Sequence, residues 1–299
     1  MNTQRHADLL NDKQACAADL PAAQAVRNPA FATTLAHGLE LLQCFRMLSP
    51  ALTNKDLVEL TGLSKATISR LTFTLAQQGL LIHDPRTRQY RLGAGVLALA
   101  YPLLSSLSLR QLARPFMQAL ARESKGTVSM GLYESGCMVY VETIRSHDLR
   151  AFRPEIGAFL PVAMTAMGRA WYAQAGQEAR NAALQATQKS YPEQYPFLKE
   201  ALQQACRDFG ERGYSVSCGD WYPDVHAVAA PMQELVEGDL FVFNCGVKTS
   251  LLRGRSVGDL YGARLLDMIQ KVRGALAAEC LGLAKRGRRA AAARGKAAS

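Results

Sequence analysis

The stretch TGLSKATISRL at 61–71 carries Ser64, Lys65, Thr67, Ser69 and Arg70 where an ordinary surface helix would carry pairs of Glu and Lys. These types suit a polyanion. Ammonium and guanidinium groups bond phosphate oxygens, short hydroxyls permit close approach to base edges, and carboxylates would be repelled. From Ser64 to Arg91 there are five basic residues and one acid, Asp84. Arg86 and Arg88 follow at a turn, and Asn54 and Lys55 stand at an earlier helix start as further phosphate contacts.

A second place with chemistry lies at 160–166. There the chain passes from a loop into a helix and leaves backbone N–H groups free near Met164, Thr165 and Ala166. Such a start favours a carboxylate through orphan donors and the helix dipole, at ~0.3–1 kcal/mol when exposed. Without further support, Thr165 reads as a plain N-cap and Gly168 as a close-packing residue.

Catalytic groupings are weaker. Cys218 or Cys245 with His226 is the natural nucleophile and base pairing, yet no motif links them. Glu134, Glu142 and Asp148 lie in or beside alternating strands, where solvated outer faces are expected. The five histidines lack any H-x-x-x-H or H-E-x-x-H spacing, so no metal or other cofactor is called for. The expectation is a protein that is not an enzyme.

The elements that position these residues follow from local signals. Residues 1–30 are polar and unpatterned and read as a disordered arm. Thr34 offers a cap to a helix with Leu35, Leu39, Leu42, Phe45 and Met47 near helical spacing, ended by Pro50. Thr53 opens a helix by a capping pattern with Asp56, with Leu57, Val58 and Leu60 inward. Gly62 stops it, and Ser64 caps a third helix with Ala66, Ile68, Leu71 and Leu75 inward. Residues 80–83 and 89–92 flank a tight turn and read as a hairpin. Three helices and a hairpin over 31–93 make a winged helix-turn-helix, whose third helix enters the major groove while Arg86 and Arg88 tip the wing.

Residues 94–125 are rich in Leu and Ala with breaks at Pro102 and Pro115, a bent helical connector apolar enough to need a second subunit over it. From 126 to 280 strands near 127–133, 138–144, 214–217, 225–230 and 240–247 alternate with helices near 166–175, 177–188, 194–212 and 257–278. This is an α+β domain with a mostly antiparallel sheet. The tail at 281–299 is basic, with six Lys or Arg and no acid from 285 onward, and is expected to be disordered.

The 299 residues suffice for two domains, and a net charge of +10 favours an anionic partner. Seven scattered cysteines form neither a disulfide framework nor a zinc site. With no secretory signal and no spanning apolar run, the expectation is a soluble cytoplasmic protein without membrane contact.

Four separated motifs carry a resemblance. The run from Ala32 to Gly93, SLRQLARP at 108–115, GAFLPVAMTAMGRA at 157–170 and ERGYSVSCGDWYPDVHAVAAPM at 211–232 resemble the IclR family of bacterial transcription regulators, over roughly 32–278. The resemblance implies a winged helix that binds a double-stranded DNA operator, a dimerising linker, and a C-terminal GAF-like or profilin-like domain that binds a small organic acid. It implies repressors or activators acting as dimers or dimers of dimers. It also turns the 160–166 loop into one wall of an effector pocket. Within that pocket this chain has Ala227 where members often have cysteine, and Phe243 and Cys245 where they have serines; Asp220 lies close to the position of an acid in some members, here Ser217. Met130, Phe152, Trp221 and Phe243 would then supply an apolar wall, suited to a carboxylate with an aromatic or extended apolar body. Val58 stands where many helix-turn-helix motifs have alanine, which a slightly wider helix crossing accommodates. The competing reading is a nonspecific architectural DNA binder driven by Lys285, Arg286, Arg288, Arg289, Arg294 and Lys296, with a Cys-dependent enzyme behind it.

Overall fold

The computed structural model describes residues 29–45, 49–146 and 155–297, with side chains up to 279. It divides into two compact units between Leu107 and Ser108, inside the segment read as one connector.

In the first unit, α1 (Thr33–Gln43) precedes a short strand β1 (Ala51–Thr53), α2 (Asn54–Thr61) and α3 (Lys65–Gln77). Strands β2 (Leu81–Asp84) and β3 (Gln89–Leu92) form the wing, and β1 joins it in the order β1-β3-β2, a strand the sequence did not announce. The cap of α1 is Ala32 and not Thr34, which lies within the helix, and no side chain closes that end. Leu41 and Phe45 reach the core, whereas Leu35 and Leu39 are exposed; Met47 lies outside the described residues. Leu57 is likewise buried where Leu60 is exposed and Val58 is only partly covered. Leu52, Leu63, Ile68, Leu71 and Leu81 complete a core that clamps α3 from behind. Ala66, expected inward, points to solvent.

Helix α4 (Ala94–Ser106) belongs to this unit and buries none of its residues. Pro102 sits inside it and Pro115 inside α5 (Ser108–Ser124), so neither breaks the connector. The break is at Leu107. There the hydroxyls of Ser105 and Ser106 donate to the carbonyls of Pro102 and Leu103, offering the last turn an alternative to continued helix. No single helix among the described residues is long and apolar enough to cross a membrane.

The second unit is built on an antiparallel sheet of β4 (Thr127–Glu134), β5 (Cys137–Arg145), β6 (Phe159–Pro161), β7 (Ser215–Cys218), β8 (Val225–Pro231) and β9 (Val242–Lys248). Their order is β6-β5-β4-β9-β8-β7. Helices α6 (Ala166–Gln174), α7 (Gln177–Ser190) and α8 (Tyr195–Arg212) follow β6, and a short α9 (Thr249–Leu252) precedes α10 (Val257–Ala297). Helices α6 and α8 cover one face; α5 and α10 cover the other, the latter through Leu265, Met268, Ile269 and Val272. The helical backbone of α10 runs to Ala297, where the sequence reading placed a disordered tail. Ala, Arg and Lys, which dominate that stretch, are strong helix formers. Cys137 is disulfide-bonded, while Cys206, Cys218 and Cys245 are free thiols.

Candidate functional site

Two local caps hold the helix-turn-helix in shape. Asp56 Oδ2 accepts from the Thr53 amide at 2.7 Å and from the Thr53 hydroxyl at 2.8 Å, and the Asp56 amide donates back to Thr53 Oγ1 at 3.3 Å. The Thr53 amide, and then its hydroxyl, hold the Asp56 carboxyl below the usual carboxylate range. Gly62 takes φ 69°, a left-handed value that closes α2 and that a side chain would oppose. Ser64 Oγ then accepts from the Thr67 amide at 3.2 Å and lies 2.9 Å from the Thr67 hydroxyl. These two hydroxyls therefore already serve the start of α3.

With Ile68, Leu71 and Thr72 inward, α3 turns Ala66, Ser69, Arg70 and Phe73 outward. Lys65 and Arg70 are exposed and form no ion pair among the described residues. Phe73, which sequence reasoning passed over, is 64% exposed on this face. Lys55 faces Glu59 at 3.8 Å in a solvated pair of little energetic weight, while Asn54 is half-buried. At the wing, Asp84 accepts from the Arg86 amide at 2.9 Å and the Thr87 hydroxyl at 3.0 Å. The one acid of the region thus shapes the turn that carries Arg86 and Arg88, both exposed. The Arg86 amide is the main reason its carboxyl titrates below the usual range.

The second unit holds a cavity of about 60 Å³ over the α6-facing side of the sheet. A row across four strands forms part of its wall: Ser217 pairs with Ala227, Ala227 with Gly246, and Gly246 with Thr127. Space exists because the two middle positions are small. In the next row Asn244 lies opposite Ser129, and its Nδ2 donates to the Tyr140 hydroxyl at 3.1 Å. Leu160, Thr165, Ala166, Trp221, Tyr222 and Val225 complete its lining, and no charged side chain is among the residues that line it.

Of the expected effector residues, Thr165, Ala166, Trp221 and Ala227 line this space. Met130, Phe243 and Cys245 do not. They occupy the alternate positions of β4 and β9 and face α5 and α10, which a one-residue step along a strand decides. Ser124 of α5 lies beside the Cys245 thiol, in keeping with that side. Met164 serves through its carbonyl, which accepts from Ser217 Oγ at 3.0 Å. Asp220 is also outside the lining. It receives Arg169 at 2.9 Å, Ser217 Oγ at 3.1 Å and the Cys218 amide at 3.2 Å, and so ties the β7 turn to α6. Phe152 lies outside the described residues. Thr127, Ser129, Tyr140 and Asn244 were missed, although Thr127, Ser129 and Asn244 are polar at alternate positions of otherwise apolar strands, which was the available signal.

Gly168 is a close-packing residue, since a Cβ there would lie 2.3 Å from Val162 backbone atoms. Thr165 caps α6 by accepting from the Gly168 amide at 3.1 Å while donating to the Pro161 carbonyl at 2.8 Å. The cap and the cavity wall are thus the same element.

Cys218 and His226 are cross-strand partners, but burial, and then Asp220, push the Cys218 thiol up. Burial pushes Cys245 to about 12. Both thiols are therefore protonated and poorly nucleophilic at neutral pH. Glu142 departs from its expected solvated place: it is buried, with Arg110 and Arg114 of α5 each 3.0 Å from Oε2. Glu134 is exposed, and Asp148 lies outside the described residues.

Residues 34–85 match the IclR helix-turn-helix domain, and residues 102–242 match the bacterial transcriptional regulator IclR C-terminal domain. Over 241 residues the chain is 32% identical to the HTH-type transcriptional regulator TsaQ1/TsaQ2 of Comamonas testosteroni, spanning 80% of this chain and 86% of that one. A solved IclR family transcriptional regulator from Brucella abortus superposes with a TM-score of 0.77 at 36% identity, over 87% of this chain and 98% of that one. An IclR homolog from Microbacterium hydrocarbonoxydans, solved in complex with 4-hydroxybenzoate, shares the fold with a TM-score of 0.66 at 21% identity, over 82% and 99% of the two chains.

Proposed function

The chain belongs to the IclR family and is a DNA-binding transcriptional regulator, and on that premise we propose that α3 reads an operator whose affinity is set by a small organic acid in the cavity of the second unit. One observation carries the reading: a single chain holds on α3 a cationic surface with no ion pair among the described residues and, in a separate unit, a neutral cavity at a helix start. Lys65, Ser69 and Arg70 meet DNA directly, with Ser64 and Thr67 shaping the helix start that presents them. Arg86 and Arg88 reach the flanking minor groove or its phosphates, and Asn54 and Lys55 the backbone.

A carboxylate sits at the start of α6, stabilised by orphan backbone donors and the dipole. The apolar wall expected from Met130 and Phe243 is absent from this space, and about 60 Å³ is well below the ~150 Å³ that holds benzene in an engineered apolar cavity. A compact acid suits the geometry better than an aromatic one, which would require Trp221 and Tyr222 to move.

A second copy covers α4, where Leu97, Leu99, Tyr101 and Leu103 are exposed, and two recognition helices then match a pseudo-palindromic site. Effector binding favours one arrangement of the pair and changes operator affinity by linkage. The test is fluorescence anisotropy of the full-length protein on a duplex selected from a random pool, with and without small acids. Selected and unselected duplexes bound alike would restore the architectural reading; turnover of the acids would restore the enzyme.

A further inference from the structure

We propose that the cavity recognises a compact hydroxy acid, taking its carboxylate at the start of α6 and Trp221 and its hydroxyl at Asn244 and Thr127. The proposal rests on the effector reading above and adds which functional groups the ligand must bring.

Three of the residues that line the cavity each carry a buried polar atom with no hydrogen-bond partner among the described residues: Trp221 Nε1, Asn244 Oδ1 and Thr127 Oγ1. Their residues are 9%, 7% and 9% exposed, respectively. An orphan buried polar atom costs roughly 1–3 kcal/mol, and native proteins hold few of them, so three around one small cavity point to a ligand that satisfies them.

Their chemistry fixes the ligand's polarity. An indole N–H only donates, so Trp221 calls for an acceptor. A carboxamide oxygen only accepts, and with Nδ2 committed to Tyr140, Asn244 calls for a donor. Thr127 Oγ1 serves either role.

The helix start supplies the rest of the acceptor-seeking end. The amide of Ala166 opens α6, and the Thr165 hydroxyl does not compete for a ligand because it is already used in both directions. The nearby cation is withdrawn as well: Arg169 is spent on the carbonyls of Ala163 and Val216 and on Asp220. A carboxylate here is held by dipoles alone, and a ligand lacking a hydroxyl leaves Asn244 unsatisfied. A volume of about 60 Å³ admits only a few heavy atoms, since one water occupies ~10–15 Å³ on such a measure.

The experiment is calorimetry on the full-length protein with matched pairs, glycolate against acetate and lactate against propionate, with 4-hydroxybenzoate as an aromatic arm. For the wild type, the hydroxylated member of each pair is expected to bind about tenfold tighter or more, because a site built to bond a hydroxyl rejects the analogue lacking it. Asn244→Leu should bring that ratio near one with little change for propionate. Trp221→Phe should weaken both members in parallel. Equal binding of the paired acids, or a preference that survives Asn244→Leu, overturns the proposal and leaves the sensor reading standing. Binding of 4-hydroxybenzoate without lactate or glycolate overturns the compact class. No binding of any acid by protein that still selects its duplex overturns both the proposal and the sensor reading, and leaves DNA recognition intact.

Discussion

Met130 of β4 lies opposite Phe243 of β9, one register step from the pair formed by Ser129 and Asn244, and only the second pair borders the cavity. On the proposed reading, the step separates stability from ligand recognition. Phe243→Ala should cost ~3–5 kcal/mol, as large-to-small changes of buried aromatics do, and leave the ranking of ligands unchanged. Urea denaturation and calorimetry on the same variant check both parts; a reordered ligand ranking would place Phe243 in the site after all.

Two glycines should respond oppositely to alanine. At Gly168 the added Cβ meets Val162 backbone at 2.3 Å, and backbone cannot yield without displacing α6. At Gly246 the nearest atom is Val225 Cγ1 at 3.6 Å, an ordinary contact, and the Cβ enters cavity space. Gly168→Ala should lower Tm by roughly 5 °C or more, at about 2–4 °C per kcal/mol for a unit of this size. Gly246→Ala should leave Tm within about 2 °C and weaken acid binding about tenfold, since one added methyl consumes much of so small a space. Scanning calorimetry and titration separate the two.

Exposure of Lys65 and Arg70, with no ion pair to either among the described residues, makes their loss readable as salt dependence. The double variant Lys65→Ala and Arg70→Ala should reduce the slope of log K against log salt by about 0.9 for each phosphate contact removed. Ser64→Ala acts differently, through loss of the α3 cap, at about 1 kcal/mol of stability. Anisotropy titrations between low and moderate salt decide this, and an unchanged slope in a folded double variant would remove α3 from the interface.

Cys245 is buried, and its thiol is raised from 9.0 to about 12. It should resist iodoacetamide at neutral pH in the native protein and react once the chain is unfolded, as mass spectrometry would show. The sign for stability follows from the same shift. Above the unfolded value of 9.0 the unfolded chain ionises its thiol and the folded one does not, so this contribution is intact below 9.0 and is lost as pH rises toward about 12. Cys245→Ser should flatten that alkaline loss; an unchanged alkaline profile would assign it to other groups.

The helix-turn-helix was legible because its signals are local. Thr53 with Asp56, Gly62, and Ser64 with Thr67 act within a turn of the chain, so residue type and spacing alone specify where α2 stops and α3 begins. Leu35, Leu39 and Ala66 were less legible, since helical spacing marks a stripe and not which stripe the neighbouring elements cover.

The start of α6 was legible in the same local way, through Thr165 and the glycine three residues on. The rest of the cavity was not. Strands β4 and β9 are buried on both faces, so apolar character does not tell one face from the other, and Met130, Phe243 and Cys245 looked as suitable as Thr127, Ser129 and Asn244. Likewise, Asp220 meets Arg169 across 51 residues of sequence, and Glu142 meets Arg114 across 28. Sequence by itself determined the helix-turn-helix and the start of α6, because hydrogen bonds within a few residues decide them. Tertiary structure alone decided which strand face borders the cavity and which charges are consumed in holding it, because those depend on contacts between segments far apart in the chain.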